Sequence, residues 1–394
     1  MTSDVDLLRR LRDTPELVAA VAGLSGSELA VQQQLRSRFD GEIVRAALSL
    51  AEARRTAEGV LSNASQLWLT TVGVQQATHP AVADHKASRF PADAPVLDLC
   101  CGIGSDAAAL ARRGPVTVVD RDEAMLQRCL WNLDVWQCRP PNAVSTDVRD
   151  MLLQDCLIHA DPDRRSGGNR PVRRLEQYFP DLAWMQSTIR SADGGAIKIG
   201  PASNFMQKFA GCEIELISLH GECREATVWF GQLAGEMMFR ATVLPAGESI
   251  AGDPLSAWST MAAAPGRFVF DPDPAVVRSG LIDAVCERLR LERLDAEEEY
   301  LTSDVSPDSA YVTGFEVEVV LPNNRKQLRQ YLRCARGCRY EIKCRRIPVD
   351  ATSLLKKLPV GDGPVKVVFF LRVQGKARIV VARRLETDRV SERA

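Results

Sequence analysis

Short apolar segments alternate with helical segments between residues 96 and 201, and this alternation constrains the fold most strongly. VLDLC (96–100) and VTVVD (116–120) have the pattern of buried strands, and amphipathic helical segments follow each of them. The later strand-like segments are AVSTD (143–147), CLIHADPD (156–163), AIKIGP (196–201), 213–218 and 226–232. Strands that alternate with helices at this spacing predict a parallel, doubly wound α/β sheet.

A glycine turn, DLCCGIGSD, joins the first predicted strand to the first helix. Gly102 and Gly104 allow the backbone to approach a ligand closely. A dinucleotide fingerprint needs a third glycine, and this chain has Ala107 there. Asp106 also competes with a phosphate for the amides at the helix start. The turn therefore disfavours NAD or FAD and suits a phosphate-free nucleoside with a cationic amino acid head, which Asp98 can contact.

Two further acids follow the next two predicted strands. Asp120 ends the second strand, where a carboxylate can accept hydrogen bonds from both hydroxyls of a ribose. Asp147 ends the third and can accept a hydrogen bond from an adenine amino group. Each acid alone can simply cap a loop. Both acids end predicted strands that follow the glycine turn in a regular strand–helix order. A nucleoside site is therefore favoured over two unrelated loop-capping residues.

These motifs resemble the class I S-adenosylmethionine-dependent methyltransferases over residues 76–232. DLCCGIGSD resembles their first motif, VTVVDRD the second, STDVRD the adenine-contact region, and HADPDRR stands at the catalytic D/N-P-P-x motif. QATHPAVADHKASRF (76–90) resembles the lead-in of trimethylguanosine-synthase-like enzymes, where such a segment helps cover the cofactor. The tail from about residue 314 resembles a THUMP-like domain. The resemblance implies a Rossmann-like sheet, S-adenosylmethionine as cofactor and an RNA substrate.

The resemblance also implies roles for individual residues. The implied cofactor-binding residues are Asp98, Cys100, Gly102, Gly104, Asp106, Asp120, Arg121 and Asp147. The implied catalytic residues are Asp161, Asp163 and Arg164. Asp163 replaces the second proline of the motif, and Arg164 replaces the aromatic residue that stacks on the base in amino-methylating relatives. An arginine plane can also stack on a base.

The side chains allow more than one route for methyl transfer. Methyl transfer from a sulfonium is an in-line displacement, which requires the acceptor atom about 3 Å from the methyl group. Direct transfer to nitrogen or oxygen is favoured over a covalent cysteine route through Cys223, because free cysteines are usually small buried apolar residues. Lys198 and Glu222 can line the pocket or form structural salt bridges.

The C-terminal part of the chain is strongly basic. Residues 314–394 contain 19 Lys/Arg and 8 Asp/Glu, whereas the preceding 313 residues contain 31 and 43. The predicted nucleic-acid contacts are Arg325, Lys326, Arg329 and Arg333 on a helix, and Lys343, Arg345 and Arg346 on a strand. Such a face binds phosphates without reading sequence. The alternative is a solvated basic face that docks on the acidic part of the chain.

Four segments are expected: a helical region (1–75), the methyltransferase domain (76–240), a connector with one helix near 275–292 (241–312), and a small basic α/β domain (313–394). The 11 cysteines are interpreted as reduced thiols, since the N-terminus lacks the apolar core of a signal peptide. A zinc site at Cys334, Cys338 and Cys344 lacks a fourth ligand, so no metal is expected. No apolar run is long enough for a membrane span, and the cytoplasm is the expected compartment.

These observations lead to one main hypothesis and two alternatives. The main hypothesis is an S-adenosylmethionine-dependent methyltransferase that acts on RNA at nitrogen or oxygen. The first alternative is a cofactor- and RNA-binding protein without catalysis, because the DPDRR motif is irregular. The second is a methyltransferase for a small molecule or a protein, in which the basic tail is structural.

Overall fold

The computed structural model describes residues 3–23, 28–164, 172–334, 337–358 and 361–385, without the side chains of 23, 28–31 and 334. Two compact units make up the chain. The first consists of residues 1–212 and 227–235, and the second of residues 213–226 and 236–393. No helix among the described residues is long and apolar enough to cross a membrane.

The first unit begins with the expected helical region. Its helices are α1 (Asp4–Arg12), α2 (Pro15–Gly23), α3 (Glu28–Arg36), α4 (Gly41–Ala57), α5 (Thr71–Gln76) and α6 (Pro80–Ser88). Ser3 and Asp40 cap α1 and α4 by accepting backbone N–H bonds, as polar N-cap residues do. Leu17, Val44 and Leu67 form the core of this region and are fully buried, because the apolar residues of each helix recur on one face.

A parallel sheet follows these helices. Its elements are β1 (Val96–Leu99), α7 (Ser105–Ala111), β2 (Val116–Asp120), α8 (Glu123–Val135), β3 (Asn142–Ser145), β4 (Leu157–Ala160), α9 (Leu182–Ser191) and β5 (Gly194–Ile199). Next come β6 (Glu213–Leu219), in the second unit, and β7 (Glu222–Gly231), which continues into the first unit. The strand order in the first unit is β3-β2-β1-β4-β5-β7, and the ladders among β1–β5 are parallel. This order confirms the predicted doubly wound fold.

The second unit contains more regular structure than expected. Its further elements are β8 (Phe239–Leu244), β9 (Glu248–Gly252), β10 (Phe268–Pro272), α10 (Pro274–Ser279), α11 (Ile282–Leu289), β11 (Glu292–Arg293), β12 (Leu301–Ser303), β13 (Val312–Pro322), α12 (Arg325–Cys334), β14 (Arg339–Cys344), α13 (Ala351–Leu355), β15 (Val365–Val373) and β16 (Lys376–Arg384). One sheet has the order β11-β12-β10-β13-β16-β15-β14. Helices α12 and α13 cover one of its faces through Leu328, Leu332 and Leu354.

The segment 241–312 differs from the expected connector with one helix. It contributes strands to two ladders, β8 with β6 and β10 with β13. The single helix expected near 275–292 is two helices, because Gly280 ends α10 in the left-handed conformation at φ 76°. Runs of Pro, Gly and Asp concealed these short strands in the sequence. The division of the chain into four domains stays a prediction.

Candidate active site

A cavity of about 240 Å³ lies at the carboxyl ends of the parallel strands in the first unit. The residues that line it come from the glycine turn, the end of β2, the start of α8, the segments after β3 and β4, and the segments before α6 and α9. They include Gln76, Thr78, Cys100, Gly102, Ser105, Asp106, Asp120, Arg121, Asp122, Met125, Asp147, Val148, Asp161, Asp163, Arg164 and Phe179. A doubly wound sheet binds its ligands at this edge.

The glycine turn forms one wall of the cavity. Gly102 and Gly104 have φ values of 56° and 91°, and Cys100 adopts 59°, which is unusual for a residue with a side chain. A Cβ at Gly104 would lie 2.9 Å from Cys129 Sγ, so this position requires glycine. A Cβ at Gly102 would contact nothing within 4 Å, so its backbone faces open space. Burial raises the pKa of Cys100, so this thiol stays neutral.

Asp120 presents its carboxylate to the cavity from the end of β2. Its Oδ2 accepts a hydrogen bond from Gly102 N–H at 3.3 Å, and its Oδ1 accepts one from Asp122 N–H at 2.9 Å. Burial raises the pKa of Asp120 to about 6. The geometry places this acid beside the glycine turn, where the sequence predicts contact with a ribose.

Asp147 lies two residues beyond the end of β3 and not at the end itself. Its carboxylate caps a short 3₁₀ turn and accepts hydrogen bonds from the Arg149 side chain, at 2.6 Å for the shortest. The Arg149 side chain holds the pKa of Asp147 below its usual range. The guanidinium carbons of Arg121 and Arg149 lie 3.7 and 4.5 Å from the centre of the Phe179 ring. Cation–π contacts therefore join both arginines to one aromatic ring.

Asp98 does not line the cavity, although the sequence places it among the cofactor-binding residues. Its side chain is 1% exposed, and its Oδ1 lies 2.7 Å from His159 Nδ1. Its Oδ2 is buried and has no hydrogen-bond partner among the described residues. The acid therefore stands behind the wall of the site, in a buried cluster that continues through His159 to Lys86 Nζ at 3.2 Å.

Asp106 lines the cavity but is already engaged by protein groups. Thr78 donates its hydroxyl to Asp106 Oδ2 at 2.5 Å, and Lys86 Nζ lies 2.9 Å from Oδ1. Burial opposes ionisation of Asp106, but Lys86, His159 and Lys198 outweigh it and hold the pKa below its usual range. The acid is therefore a fixed negative charge at the start of α7.

The motif after β4 brings the three predicted catalytic residues to the cavity. Asp161 Oδ2 accepts a hydrogen bond from Lys198 Nζ at 2.8 Å, and Asp163 Oδ1 accepts one from Gln76 Nε2 at 2.9 Å. A Cβ at position 200 would lie 2.9 Å from Arg164 Nη1, so the glycine there makes room for the guanidinium. The next motif residue, Arg165, lies outside the described residues.

Phe179 is one of the lining residues that the sequence analysis missed. Its backbone forms two reciprocal hydrogen bonds with Asp163, of 2.7 and 2.9 Å, so the ring lies beside the motif. Phe179 therefore supplies an aromatic ring to a motif that has none of its own. The residue lies 16 positions after Asp163, and no local pattern predicts that they pair.

The remaining candidates lie outside the cavity. Lys198 is 7% exposed and makes the predicted structural salt bridge. Glu222 is exposed, forms an ion pair with Arg224 and belongs to the second unit. Cys223 also lies in the second unit, and burial raises its pKa to about 12. A thiol of that kind is a poor nucleophile.

The residues around the cavity fit S-adenosylmethionine. Asp120 offers a carboxylate to sugar hydroxyls, and Gly102 presents bare backbone. The buried Ser105 Oγ has no hydrogen-bond partner in the part of the chain that the structure describes. The lining acids provide a negative field for a cationic sulfonium and ammonium. No group of three or more His, Cys, Asp or Glu residues suited to a metal occurs in the described part of the chain, although the Cys334 side chain lies outside it.

The predicted basic residues of the tail fall into two sets. Lys343 and Arg345 both pair with Asp271, at 2.8 and 2.7 Å, and Arg346 pairs with Glu299. The helical set is Arg325, Lys326, Arg329 and Arg333, and these residues have no ion-pair partner among the described residues. Only the helical set is therefore available to an external anion.

A doubly wound sheet with a nucleoside-sized pocket at its carboxyl edge is typical of the class I methyltransferase fold. The chain is 34% identical over 348 residues to proteins of two Mycobacterium tuberculosis strains, each named an uncharacterized S-adenosylmethionine-dependent methyltransferase, and the match covers 85% of this chain and 94% of theirs. The chain thus belongs to the S-adenosylmethionine-dependent methyltransferases.

Two further comparisons agree with this assignment. The family model described as "THUMP domain-like" matches residues 312–384. A crystal structure of a candidate methyltransferase from Porphyromonas gingivalis W83 has the same fold, with a TM-score of 0.78, 16% identity, and coverage of 98% of this chain and 100% of that one. The protein is therefore an enzyme that uses S-adenosylmethionine, with a THUMP-like segment at its C-terminal end.

Proposed function

We propose that this enzyme methylates RNA by direct in-line transfer to a nitrogen or oxygen atom. The observation that carries the proposal is the position of Asp161 and Asp163, which line the same cavity as the glycine turn and Asp120. Acids that can accept a proton from an attacking group therefore lie in the pocket that fits the cofactor. The cofactor supplies an electrophilic methyl group when it is bound.

The residues of the chain would position the acceptor. Asp161 Oδ2 is held by Lys198, and Asp161 Oδ1 has no hydrogen-bond partner among the described residues. Oδ1 is therefore the atom that would accept a hydrogen bond from an N–H or O–H of the acceptor. The ring of Phe179 and the plane of Arg164 would stack on a base, as aromatic and guanidinium groups do in RNA-binding proteins.

Direct transfer is also supported by the cysteines of the chain. Cys100 and Cys101 both line the cavity, and burial and the neighbouring Asp120 raise the pKa of Cys100. Covalent attack on a base needs a thiolate. The environment of Cys100 disfavours the thiolate form.

RNA is supported by the helical set of basic residues on α12. Leu328 and Leu332 face the sheet of the second unit, so the basic side chains occupy the outer face of the helix. Unpaired cations on one helical face suit a polyanion. A cytoplasmic location, where RNA acceptors occur, is part of the same proposal.

Transfer of a tritiated methyl group from S-adenosylmethionine to total cellular RNA, followed by nucleoside analysis, tests the activity. Label in one modified nucleoside supports the proposal. Tight cofactor binding without transfer to any fraction would instead support a non-catalytic cofactor- and RNA-binding protein. Asp161→Asn is the matched negative control, because it keeps the shape of the side chain and removes the charge.

The RNA partner is tested with charge-reversed variants. Arg325→Glu/Lys326→Glu should weaken RNA binding and lower its dependence on salt, whereas Arg45→Glu/Arg55→Glu on α4 changes the net charge equally and should not. Roughly six phosphate contacts would lose about a thousandfold in affinity between 50 and 200 mM salt. An RNA affinity that does not change with salt concentration would contradict RNA as the partner.

One observation favours a small-molecule or protein acceptor as the second candidate. Three of the seven predicted phosphate-binding residues form ion pairs within their own unit, as a purely structural basic segment would. In that case the tritium label appears in the small-molecule or protein fraction. Truncation at residue 314 is a poor test, because β13 pairs with β10 and the cut would divide their sheet.

A further inference from the structure

Residues 76–78, which we call the strap, run from the last residue of α5 toward α6. They contact two acids of the active site and are joined to a third. Gln76, Ala77 and Thr78 all line the cavity. Gln76 Nε2 donates to Asp163 Oδ1 at 2.9 Å, and Thr78 Oγ1 donates to Asp106 Oδ2 at 2.5 Å. The third acid, Asp161, is joined to the strap through a lysine.

Lys198 makes this link with its complete set of hydrogen-bond donors. Its Nζ donates to Gln76 O at 3.0 Å, to Thr78 Oγ1 at 2.9 Å and to Asp161 Oδ2 at 2.8 Å. An ammonium group has three N–H donors, so none remains for a substrate. Lys198 is 7% exposed, which excludes a role as a solvated surface charge.

The strap therefore holds one oxygen of each motif acid, directly for Asp163 and through Lys198 for Asp161. Asp161 is held through Oδ2, and Asp163 is held through Oδ1. Both bonds depend on the strap, since Lys198 also binds the Gln76 carbonyl and the Thr78 hydroxyl. Methyl transfer demands close alignment of the acceptor, and a displacement of about 1 Å can cost about a hundredfold in rate.

We infer that Lys198, Gln76 and Thr78 are positioning residues that orient the carboxylates of Asp161 and Asp163 toward the methyl acceptor. The inference rests on the proposed function, in which these two acids face the acceptor. Formation of the site thus depends on docking of the strap. Cofactor binding depends mainly on Asp120 and the glycine turn.

The first experiment needs no acceptor and compares amide hydrogen exchange in Gln76→Leu, Lys198→Met and the full-length wild type. Exchange should rise about tenfold at residues 160–164 in both variants and stay unchanged at residues 96–104, because the strap acts on the motif and not on the glycine turn. Gln33→Leu, on the exposed face of α3, is the matched control and should change neither region.

The second experiment separates positioning from binding with tritiated S-adenosylmethionine and total RNA. Gln76→Leu should lower kcat by about tenfold and Lys198→Met by about a hundredfold, while the cofactor Kd stays within about twofold. Lys198→Arg keeps the positive charge and should recover most of the lost rate. Gln76 is only partly buried, so its variant tests the strap even if Lys198→Met does not fold.

The outcomes distinguish the two proposals. Unchanged exchange at residues 160–164 in Gln76→Leu overturns the positioning role, whatever the activity. A uniform rise across the first unit also overturns it, since that would mark a merely structural contribution. If amide exchange rises only at residues 160–164 in a protein that transfers no label to RNA, the positioning role stands and RNA is removed as the acceptor.

Discussion

His159 and Asp98 form a buried pair, with 2.7 Å between Nδ1 and Oδ1 and each side chain 1% exposed. The pair belongs to a cluster that also contains Lys86 and Asp106. Lys198 and Asp161 extend the same cluster through Thr78. Three carboxylates thus face two ammonium groups and one imidazole, so a protonated His159 balances the charge. Buried charges are tolerated when they are paired in this way.

Protonation of His159 is expected to stabilise the fold. Burial and the neighbouring Lys86 oppose the charged ring, but Asp106 and Asp98 outweigh them and raise the pKa of His159. Because the folded-state pKa exceeds the unfolded value of about 6.5, this contribution is complete below pH 6.5 and is lost as the pH rises through the folded-state pKa. Thermal unfolding between pH 5.5 and 9 should show the loss. His159→Gln should flatten the slope, whereas His220→Asn, at an exposed turn, should keep it.

The raised pKa of Asp120 predicts that cofactor binding depends on pH. This pKa is raised to about 6 by burial, and the ionised carboxylate accepts hydrogen bonds from two hydroxyls more strongly than the neutral acid, which has become a donor at one oxygen. Affinity for S-adenosylmethionine should therefore fall as the pH drops below 6, by about tenfold at pH 5. Calorimetry checks this. Asp120→Asn should bind about 10- to 100-fold more weakly and lose the pH dependence, while Asp155→Asn, outside the cavity, should behave as wild type.

Gly104 predicts a steric effect on stability. Gly104→Ala combines a φ of 91° with a Cβ 2.9 Å from Cys129 Sγ, whereas Gly59→Ala has a similar φ of 74° and open space. Left-handed strain alone costs about 1 kcal/mol, and the clash should add about 1–3 kcal/mol at position 104. Chemical denaturation of both variants measures the difference. Equal losses would contradict the close packing between the glycine turn and α8.

The position of the Phe179 ring predicts that this residue contributes to kcat/KM for RNA. Stacking on an aromatic ring contributes about 1–3 kcal/mol per base, so Phe179→Leu should lower kcat/KM for RNA by about tenfold or more. Phe179→Tyr keeps the ring and should retain most activity. Steady-state kinetics with labelled cofactor compares them. Equal rates for the Leu and Tyr variants would show that the ring only packs against Arg121 and Arg149.

The sequence predicts the parts of this site that are encoded locally. Asp120 ends a strand, and the glycine turn and the Asp161–Arg164 motif each follow one directly, so the fold itself places them at one edge. The strap contacts and the pairing of Phe179 with Asp163 are long-range. Lys198 lies 122 positions from Gln76. No local pattern distinguishes Asp98, which is buried behind the site, from Asp120, which faces it.

The two sets of basic residues in the tail predict opposite phenotypes. Arg345 bonds to Asp271 and to the Pro272 carbonyl, so Arg345→Ala should destabilise the protein by about 1–3 kcal/mol and leave RNA affinity nearly unchanged. Arg325 is exposed and has no ion-pair partner among the described residues, so Arg325→Ala should leave stability unchanged and weaken RNA binding. Each lost phosphate contact should lower the slope of log affinity against log salt by about 0.7 for single-stranded RNA. Denaturation and salt titrations of both variants measure the two effects, and a larger loss of RNA affinity in Arg345→Ala would reverse the assignment.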